Sequence, residues 1–378
     1  MDALMTTLNW QRVRLGDIAK IIGGGTPSTQ ITSFWNGSIN WFTPTEIGIT
    51  KYVYKSQRTI TPLGLKNSSA KLLPIGTILL TSRASIGDCA ILKVVATTNQ
   101  GFQSLIPLEK INNEFLYYLI LTLKNKLLKL ASGSTFLEVS PNKIKNLLIP
   151  LPPLNEQIAI ANILSDLDRY LCALDALILK KESVKKALSF ELLSQRKRLK
   201  GFNQAWQKVR LGDIANYLTS NLSAEQITQQ GKIKVYDANN FIGYTDTTFI
   251  SDKPYISIVK DGSVGRVRIL PPKTNILSTM GALIANHKTT TEFLFYLLSN
   301  FDFKNFISGS IIPHIYFKDY KEKTIFLPPL NGQSAIANIL SALDNEITSL
   351  KNKKRQFENI KKALNHDLMS AKIRVLEK

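Results

Sequence analysis

The sequence is poor in the residues that build metal sites and disulfide frameworks. In 378 residues it has two cysteines, Cys89 and Cys172, and three histidines, His287, His314 and His366. These residues stand far apart and show none of the close spacings of a zinc site. We therefore expect no metal, no cofactor and a reduced, cytoplasmic protein.

Long apolar runs are missing too. No stretch approaches the roughly 18 apolar residues that a membrane-spanning helix needs. The first residues, MDALMTTLNW, lack the basic and then apolar pattern of a signal peptide. We expect a chain that is neither exported nor membrane-bound. Because 378 residues exceed one ordinary core, we also expect at least two domains.

Signatures of catalysis are incomplete. The stretch Gly23 to Thr26 begins like a phosphate-binding loop but lacks its Gly-Lys-Ser/Thr ending, which favours a turn. Each Pro-Pro pair follows Leu, unlike the polar residue of adenine methyltransferases, and no glycine-rich cofactor loop precedes it. His314 has no partner motif that would make a nucleophile and base, so we expect it to be structural or to meet a DNA backbone. The chain is predicted not to be an enzyme.

What the sequence does have is positive charge. It carries 48 Lys and Arg against 28 Asp and Glu, a net charge of +20 that can attract a polyanion. Residues 1–155 have 16 basic against 7 acidic side chains, and residues 201–330 have 14 against 10. A Lys-rich chain from an AT-rich genome would look similar. The charge therefore permits nucleic-acid binding without requiring it.

The sequence also contains an internal repeat. The segment WQRVRLGDIA at 10–19 recurs as WQKVRLGDIA at 206–215, and LPPLNEQIAIANILSDLD at 151–168 recurs as LPPLNGQSAIANILSALD at 327–344. Between these anchors only short islands match, such as SIGDCAIL at 85–92 with SVGRVRIL at 263–270. Two copies of one fold with different surfaces are predicted.

A heptad pattern follows each Leu-Pro-Pro-Leu junction. Apolar residues recur at alternating steps of four and three, which is typical of a coiled-coil seam. The first helix is predicted from Glu156 to about Arg198, with Asn155 and Asn331 as N-caps. The seams should pack on each other, most simply antiparallel within the chain, whereas a parallel pair would crowd both repeats at one end. The predicted seam residues are Ile160, Leu164, Leu167, Leu171, Leu174, Ile178 and Leu188, then Ile336, Leu340, Leu343, Ile347, Leu350, Phe357 and Leu364.

The divergent segments combine short β-like runs with one helix each. The runs include residues 77–80, 90–95 and 255–259, and the helix of the first copy carries apolar residues at 116, 119, 120, 123, 127 and 130. The predicted fold class is α+β. Two mixed α/β domains, 1–155 and 201–330, are separated by a long antiparallel two-helix coiled coil made of 156–200 and 331–378, with an internal pseudo-twofold axis.

Polar side chains in two glycine-bearing loops are candidate base readers. Arg, Lys, Asn and Gln can make the paired hydrogen bonds that distinguish base edges in the major groove. The same composition is also usual for turns. Trp35 and Trp41, with Asn36 and Asn40 between them, are a second possible contact surface or a piece of core. The candidate readers are Ser82, Arg83, Ser85, Asn99 and Gln100, then Lys260, Asp261, Ser263, Arg266, Ser278 and Thr279.

With these repeats, junctions and helices, the chain resembles the specificity subunits of type I restriction-modification systems over nearly its whole length. The resemblance implies two target recognition domains, each reading one half of a split double-stranded DNA sequence through loops near 83–87 and 260–266. It implies an antiparallel coiled coil that fixes the distance between the halves. It also implies partners, namely two methyltransferase subunits and two restriction subunits with ATP-driven motors.

Other functions stay open at this point. The chain could be an orphan or degenerate DNA-binding or adaptor protein without active partners. A self-sufficient methyltransferase or nuclease would modify DNA alone, and a structural adaptor would bind only proteins through its helices. We expect the non-catalytic DNA-reading scaffold.

Overall fold

The computed structural model describes residues 10–133 and 137–375. The chain divides into two compact units. Unit 1 comprises the described residues of Met1–Leu174 and Lys353–Lys378, and unit 2 comprises Asp175–Asn352. Each unit therefore contains one of the two mixed α/β domains together with a part of each long helix.

The described residues of the unit 1 domain form ten strands and four short α-helices. They are β1 Gln11–Arg14, β2 Ala19–Gly23, β3 Trp35–Phe42, β4 Tyr52–Val53, β5 Arg58–Ile60, α1 Pro62–Lys66, β6 Ile78–Leu80, β7 Cys89–Leu92, β8 Ala96–Thr98, β9 Gln103–Pro107, α2 Asn113–Thr122, α3 Lys124–Leu130, α4 Pro141–Lys145 and β10 Leu148–Leu151. The long helix α5, Leu154–Leu193, begins in this unit.

The domain of unit 2 is more compact. Its elements are β11 Gln207–Arg210, β12 Ala215–Thr219, β13 Ile233–Tyr236, β14 Phe241–Thr245, β15 Tyr255–Val259, β16 Val267–Leu270, β17 Thr274–Ile276, β18 Met280–Ala285, α6 Thr291–Ser299, α7 Phe317–Tyr320 and β19 Thr324–Leu327. The second long helix, α8 Leu330–Met369, begins here.

Both domains use one sheet plan. Unit 1 has a five-stranded sheet in the order β2-β9-β6-β7-β4, a three-stranded sheet β5-β3-β8 and a ribbon β1-β10. Unit 2 has a four-stranded sheet β12-β18-β15-β16, a three-stranded sheet β14-β13-β17 and a ribbon β11-β19. The strands β6 and β7, like β15, are buried along their whole length, because a sheet packed on both faces tolerates only apolar or small side chains.

The repeated WQxVRLGDIA motif has a structural explanation. Its first residues form one strand of each two-stranded ribbon, with Gln11 opposite Leu151 and Gln207 opposite Leu327. The Leu-Gly-Asp that follows is a 3-10 turn, in which Asp17 accepts a hydrogen bond from the backbone of Arg14 at 3.1 Å. The anchors therefore join the start of each domain to the strand that leads into its long helix.

The long helices run antiparallel in both units. In unit 1 Asp168 forms an ion pair with Lys361, and the ring of Tyr170 lies 4.7 Å from that of Phe357. Unit 2 has ion pairs between Lys181 and Glu346 and between Lys185 and Asp344. In each unit the residue number falls along one helix as it rises along the other.

The predicted seam lies on the packed side of the two helices. Ile160, Leu164, Ile336 and Leu340 are at most 3% exposed and belong to the two domain cores. The remaining seam residues are buried or half-buried: Leu167, Leu171, Leu174, Ile178, Leu188, Leu343, Ile347, Leu350, Phe357 and Leu364. The predicted α+β class, the tandem repeat and the coiled coil are confirmed.

The structure corrects three local predictions. The long helices begin at Leu154 and Leu330, so Asn155 and Asn331 lie inside the first turn rather than at the cap. The first long helix ends at Leu193, not near Arg198. The single helix predicted across 116–130 is two helices, Asn113–Thr122 and Lys124–Leu130, that part at Leu123.

Candidate nucleic-acid interface

In unit 1 the first candidate loop connects the buried strands β6 and β7. Ser82 is 1% exposed, and its backbone N–H and its hydroxyl both donate to the carbonyl of Gly101, at 2.8 and 3.2 Å. Ser82 is therefore unavailable to DNA, which corrects its place among the candidate readers. The carbonyl of Ser85 accepts from the hydroxyl of Thr81 at 2.6 Å. These bonds hold the loop in one shape.

Arg83 is the charged side chain at the surface of this loop. Its guanidinium pairs with Glu138 at 2.9 Å, and 42% of its side chain remains exposed. A guanidinium carries five N–H donors, so the pair leaves most of them for another acceptor. Glu138 forms an isolated β-bridge with Ser132, which precedes it in the same segment.

Asn99 and Gln100 stand beside this loop. The Asn99 side-chain oxygen accepts from the backbone of Gly101 at 2.8 Å, and exposed Gln100 accepts from the hydroxyl of Thr26. Gly24 packs so closely here that an added Cβ would lie 1.9 Å from the carbonyl of Asn99. The glycine stretch predicted to be a turn therefore supports the 98–101 segment.

In unit 2 the equivalent loop connects β15 and β16. Lys260 donates its backbone N–H to the carbonyl of Thr279 at 3.1 Å, and Asp261 pairs with the Nδ1 of His314 at 2.7 Å. Ser263 and Arg266 are exposed. The side chain of Asp261 is 29% exposed and that of His314 is 35% exposed.

The neighbouring segment 278–281 completes the surface of unit 2. Ser278 is half-buried and Thr279 is exposed, and Ser278 donates its backbone N–H to Leu222 at 2.8 Å. Each unit thus brings together the two stretches that sequence reasoning placed at equivalent positions, Ser82 aside. What the sequence did not reveal is the third stretch in each unit, which supplies Glu138 and His314.

The two candidate loops share one backbone turn. Gly87 donates to Thr81 at 3.0 Å as Gly265 donates to Val259 at 2.9 Å. Both glycines have a left-handed φ, +90° and +80°. The common backbone carries different side chains in the two units.

The tryptophan pair belongs to the core. Trp35 and Trp41 are 8% and 3% exposed, and their rings meet edge to face at 5.0 Å. The indole of Trp41 donates to the carbonyl of Gly25 at 2.8 Å, and the guanidinium of Arg58 lies 3.7 Å from the ring centre of Trp35. These contacts leave no flat aromatic face for a base.

A buried glutamine connects each domain to its long helix. The amide of Gln333 donates to the carbonyls of Lys288 and Pro328, at 2.9 and 2.8 Å, and its oxygen accepts from Thr290 at 3.0 Å. Gln157 in unit 1 makes the same set of contacts. The glutamine is identical in both LPPLNxQ segments, which was the available signal.

The described residues contain neither a metal-binding cluster nor a membrane-spanning helix. Across 10–133 and 137–375, no group of three or more His, Cys, Asp or Glu side chains could hold a metal ion. No helix in this part of the chain is long and apolar enough to cross a bilayer.

Comparisons with known proteins agree with this architecture. The family model of the type I restriction modification DNA specificity domain matches residues 7–182 and again 203–359. The MjaIX type I restriction enzyme specificity subunit of Methanocaldococcus jannaschii is 28% identical over 418 residues, covering 98% of this chain and 94% of the relative. The EcoR124I/EcoR124II specificity subunit of Escherichia coli is 38% identical over 161 residues, covering 41% and 40%.

A solved structure has the same fold. The crystal structure of the type I restriction-modification S subunit from M. genitalium superposes with a TM-score of 0.61 at 20% identity, covering 96% of both chains. With two matches to the specificity domain spanning most of its length, the chain belongs to the type I restriction-modification DNA specificity family, as a DNA-recognition subunit rather than a catalytic one.

Proposed function

We propose that this chain reads a bipartite, asymmetric double-stranded DNA target for a type I restriction-modification complex, one half with each unit. The observation that carries the proposal is the pair of loop surfaces with one backbone and two sets of side chains. A common scaffold gives both units the same approach to a groove. Different side chains on that scaffold read different bases.

The proposed readers are the exposed or half-exposed members of each surface. They offer the donors and acceptors that base edges require, and the net charge of +20 supplies attraction to the phosphates. In unit 1 they are Arg83, Ser85, Asn99 and Gln100, and in unit 2 Lys260, Asp261, Ser263, Arg266, Ser278 and Thr279.

The helices are proposed to set the gap between the two half-targets. We assign 1–155 and 201–330 to the recognition domains and 156–200 and 331–378 to the helical segments. The duplicated frame suggests one methyltransferase subunit per repeat, hence two, with two restriction subunits added to the complex. Because its substrate is the cell's DNA, we place this complex in the cytoplasm.

Selection from random DNA tests the proposal. The chain, purified with its methyltransferase subunits, is mixed with a library of random duplexes, and the bound molecules are sequenced. We expect two short constant blocks separated by a gap of fixed length. A single block, or no enrichment while the proteins stay assembled, would contradict the proposal and favour a protein-only adaptor. Methyl transfer by the chain alone would show an enzyme instead.

A further inference from the structure

Each candidate surface contains one acidic and one basic residue in contact, in opposite arrangements at the same place. In unit 1 the loop supplies the basic side chain, Arg83, and a facing segment supplies the acidic one, Glu138. In unit 2 the loop supplies the acidic side chain, Asp261, and the facing segment supplies the basic residue, His314.

Backbone contacts show that the positions correspond. Val139 donates to the carbonyl of Ser82 at 3.0 Å, and Ile315 donates to that of Lys260 at 2.9 Å. Each bond joins the residue after the facing partner to the residue before the loop partner.

The facing segments correspond as well. Glu138 forms an isolated β-bridge with Ser132, and His314 forms one with Ser308. Both serines begin a Ser-Gly-Ser segment, at 132–134 and 308–310. The two pairs therefore occupy one structural position, with the acidic and the basic residue exchanged between the loop and the facing segment.

We propose, on the basis of the proposed function, that the polarity of this pair selects the base read at one position of each half-target. Arg83 is assigned a guanine in the half read by unit 1. Asp261 is assigned a cytosine in the half read by unit 2.

The chemistry of the two loop side chains leads to this assignment. Guanine presents two acceptors, O6 and N7, to the major groove, and arginine matches them with two parallel N–H donors. Cytosine presents its N4 amino group, a donor that a carboxylate accepts. Glu138 and His314 hold the reading side chains in place, which reduces the side-chain entropy lost on binding.

The contacts leave each reading group free to act. The Arg83–Glu138 pair joins one terminal nitrogen, Nη2, to one carboxylate oxygen. Asp261 contacts His314 through Oδ1, and a carboxylate has two oxygens with about four acceptor sites. Each pair therefore orients its reader without saturating it.

Exchange of the pairs tests the assignment. The double variant Arg83→Asp with Glu138→His gives unit 1 the polarity of unit 2, and Asp261→Arg with His314→Glu does the reverse. Each variant, assembled with the methyltransferase subunits, is used to select from random DNA. In the block read by the altered unit, one position should change, G to C for the first variant and C to G for the second. The preference should change by about tenfold or more, with the other block unchanged.

Two further measurements keep the test decisive if an exchanged protein folds poorly. Arg210→Glu with Glu322→Arg reverses an exposed pair of unit 2, 2.7 Å apart, and should leave both blocks unchanged. For the unaltered protein, 7-deazaguanine lacks the N7 acceptor and should weaken binding about tenfold at one guanine of the block read by unit 1. The Arg83→Ala variant should show no such loss.

The outcomes separate the two proposals. If the unaltered protein selects two blocks but the exchanged variants select the same blocks with undiminished affinity, the pairs only tie the loops and this inference is wrong. A loss with 7-deazaguanine that persists in Arg83→Ala would also overturn it. If the unaltered protein selects no blocks, the proposed function itself fails.

Discussion

The hydroxyl of Tyr296 donates a hydrogen bond to Asp344 at 2.9 Å, joining the domain helix α6 to the long helix α8. The other oxygen of the same carboxylate pairs with Lys185 of α5 at 2.5 Å. Burial and the carboxylate together raise the pKa of Tyr296 above its ordinary value. One carboxylate, that of Asp344, thus connects the domain of unit 2 to both long helices.

Unit 1 repeats this connection. Tyr118 of α2 donates to Asp168 of α5 at 2.5 Å, and Lys361 of α8 pairs with the other oxygen of Asp168. Burial, more than the acceptor, raises the pKa of Tyr118. The register of the long helices is therefore linked to the position of the domain in each unit.

The Tyr296→Phe variant tests this connection. It should lower the free energy of unfolding of unit 2 by about 1.5 kcal/mol, because a hydrogen bond to a charged acceptor contributes about that much. Urea unfolding of both proteins gives the difference. The control is Tyr316→Phe, at a tyrosine that is 49% exposed. Equal effects of the two changes would contradict a structural role for the Tyr296 hydroxyl.

Replacing the buried glutamine should cost more. Gln333→Leu keeps the apolar volume but leaves the backbone N–H of Thr290 and the carbonyls of Lys288 and Pro328 without their partner. We expect a loss of about 3 kcal/mol, since each unsatisfied buried group costs about 1–3 kcal/mol and relaxation recovers part. Gln229→Leu, at an exposed position, should change stability little. A loss below about 1 kcal/mol for Gln333→Leu would show that these bonds are dispensable.

Ala84 offers a change that should stabilise the protein. It has a φ of +49°, a left-handed conformation that costs an L-residue about 1 kcal/mol, and Gly262 occupies the equivalent position with a φ of +84°. Ala84→Gly should raise the free energy of unfolding of unit 1 by up to about 1 kcal/mol. Ala90→Gly, in the buried strand β7, should lower it. Thermal unfolding of both variants would distinguish these directions, and destabilisation by Ala84→Gly would rule out strain at this residue.

Alkaline pH should weaken unit 2 through Tyr255. This tyrosine is fully buried, and burial raises its pKa from 10.0 to about 12. Between these values the unfolded chain releases the proton while the folded chain keeps it, so stability is intact below pH 10 and declines as the pH rises towards 12. The difference between these two pKa values corresponds to a loss of about 2.7 kcal/mol in the free energy of unfolding.

Tyr255→Phe isolates this contribution. The variant lacks the hydroxyl that lies 3.0 Å from Thr274, so it should be less stable than the unaltered protein at pH 8. Its deficit should shrink between pH 10 and 11 in urea unfolding experiments. A deficit that stays constant over this range would contradict the raised pKa.

Repetition and periodicity in the sequence were enough to predict the long helices and the duplicated fold. The heptads of 160–188 and 336–364 predicted the long helices, and the repeated anchors predicted two copies of one fold. Heptads are a local pattern, and the repeat is found by comparing the sequence with itself, so a single sequence is enough to detect both. The loops near Arg83 and Asp261 were placed at equivalent positions for the same reason.

Contacts between distant residues could not be predicted in this way. Glu138 lies 55 positions from Arg83, and only the fold brings them together. Gly24 was predicted to be a turn because nothing near it in the sequence shows that its missing side chain makes room for Asn99. Ser82 was predicted to be a reader because its burial could not be foreseen from the sequence. That burial depends on its contact with the distant Gly101.

The dependence of DNA affinity on the gap between the two half-targets tests the central claim most directly. The assembled protein is titrated with duplexes that keep both blocks but add or remove one or two base pairs between them. If two units held by fixed helices read the halves, a single added pair should weaken binding about a hundredfold, because one half then leaves its groove. Affinity that does not change with the gap would contradict the account.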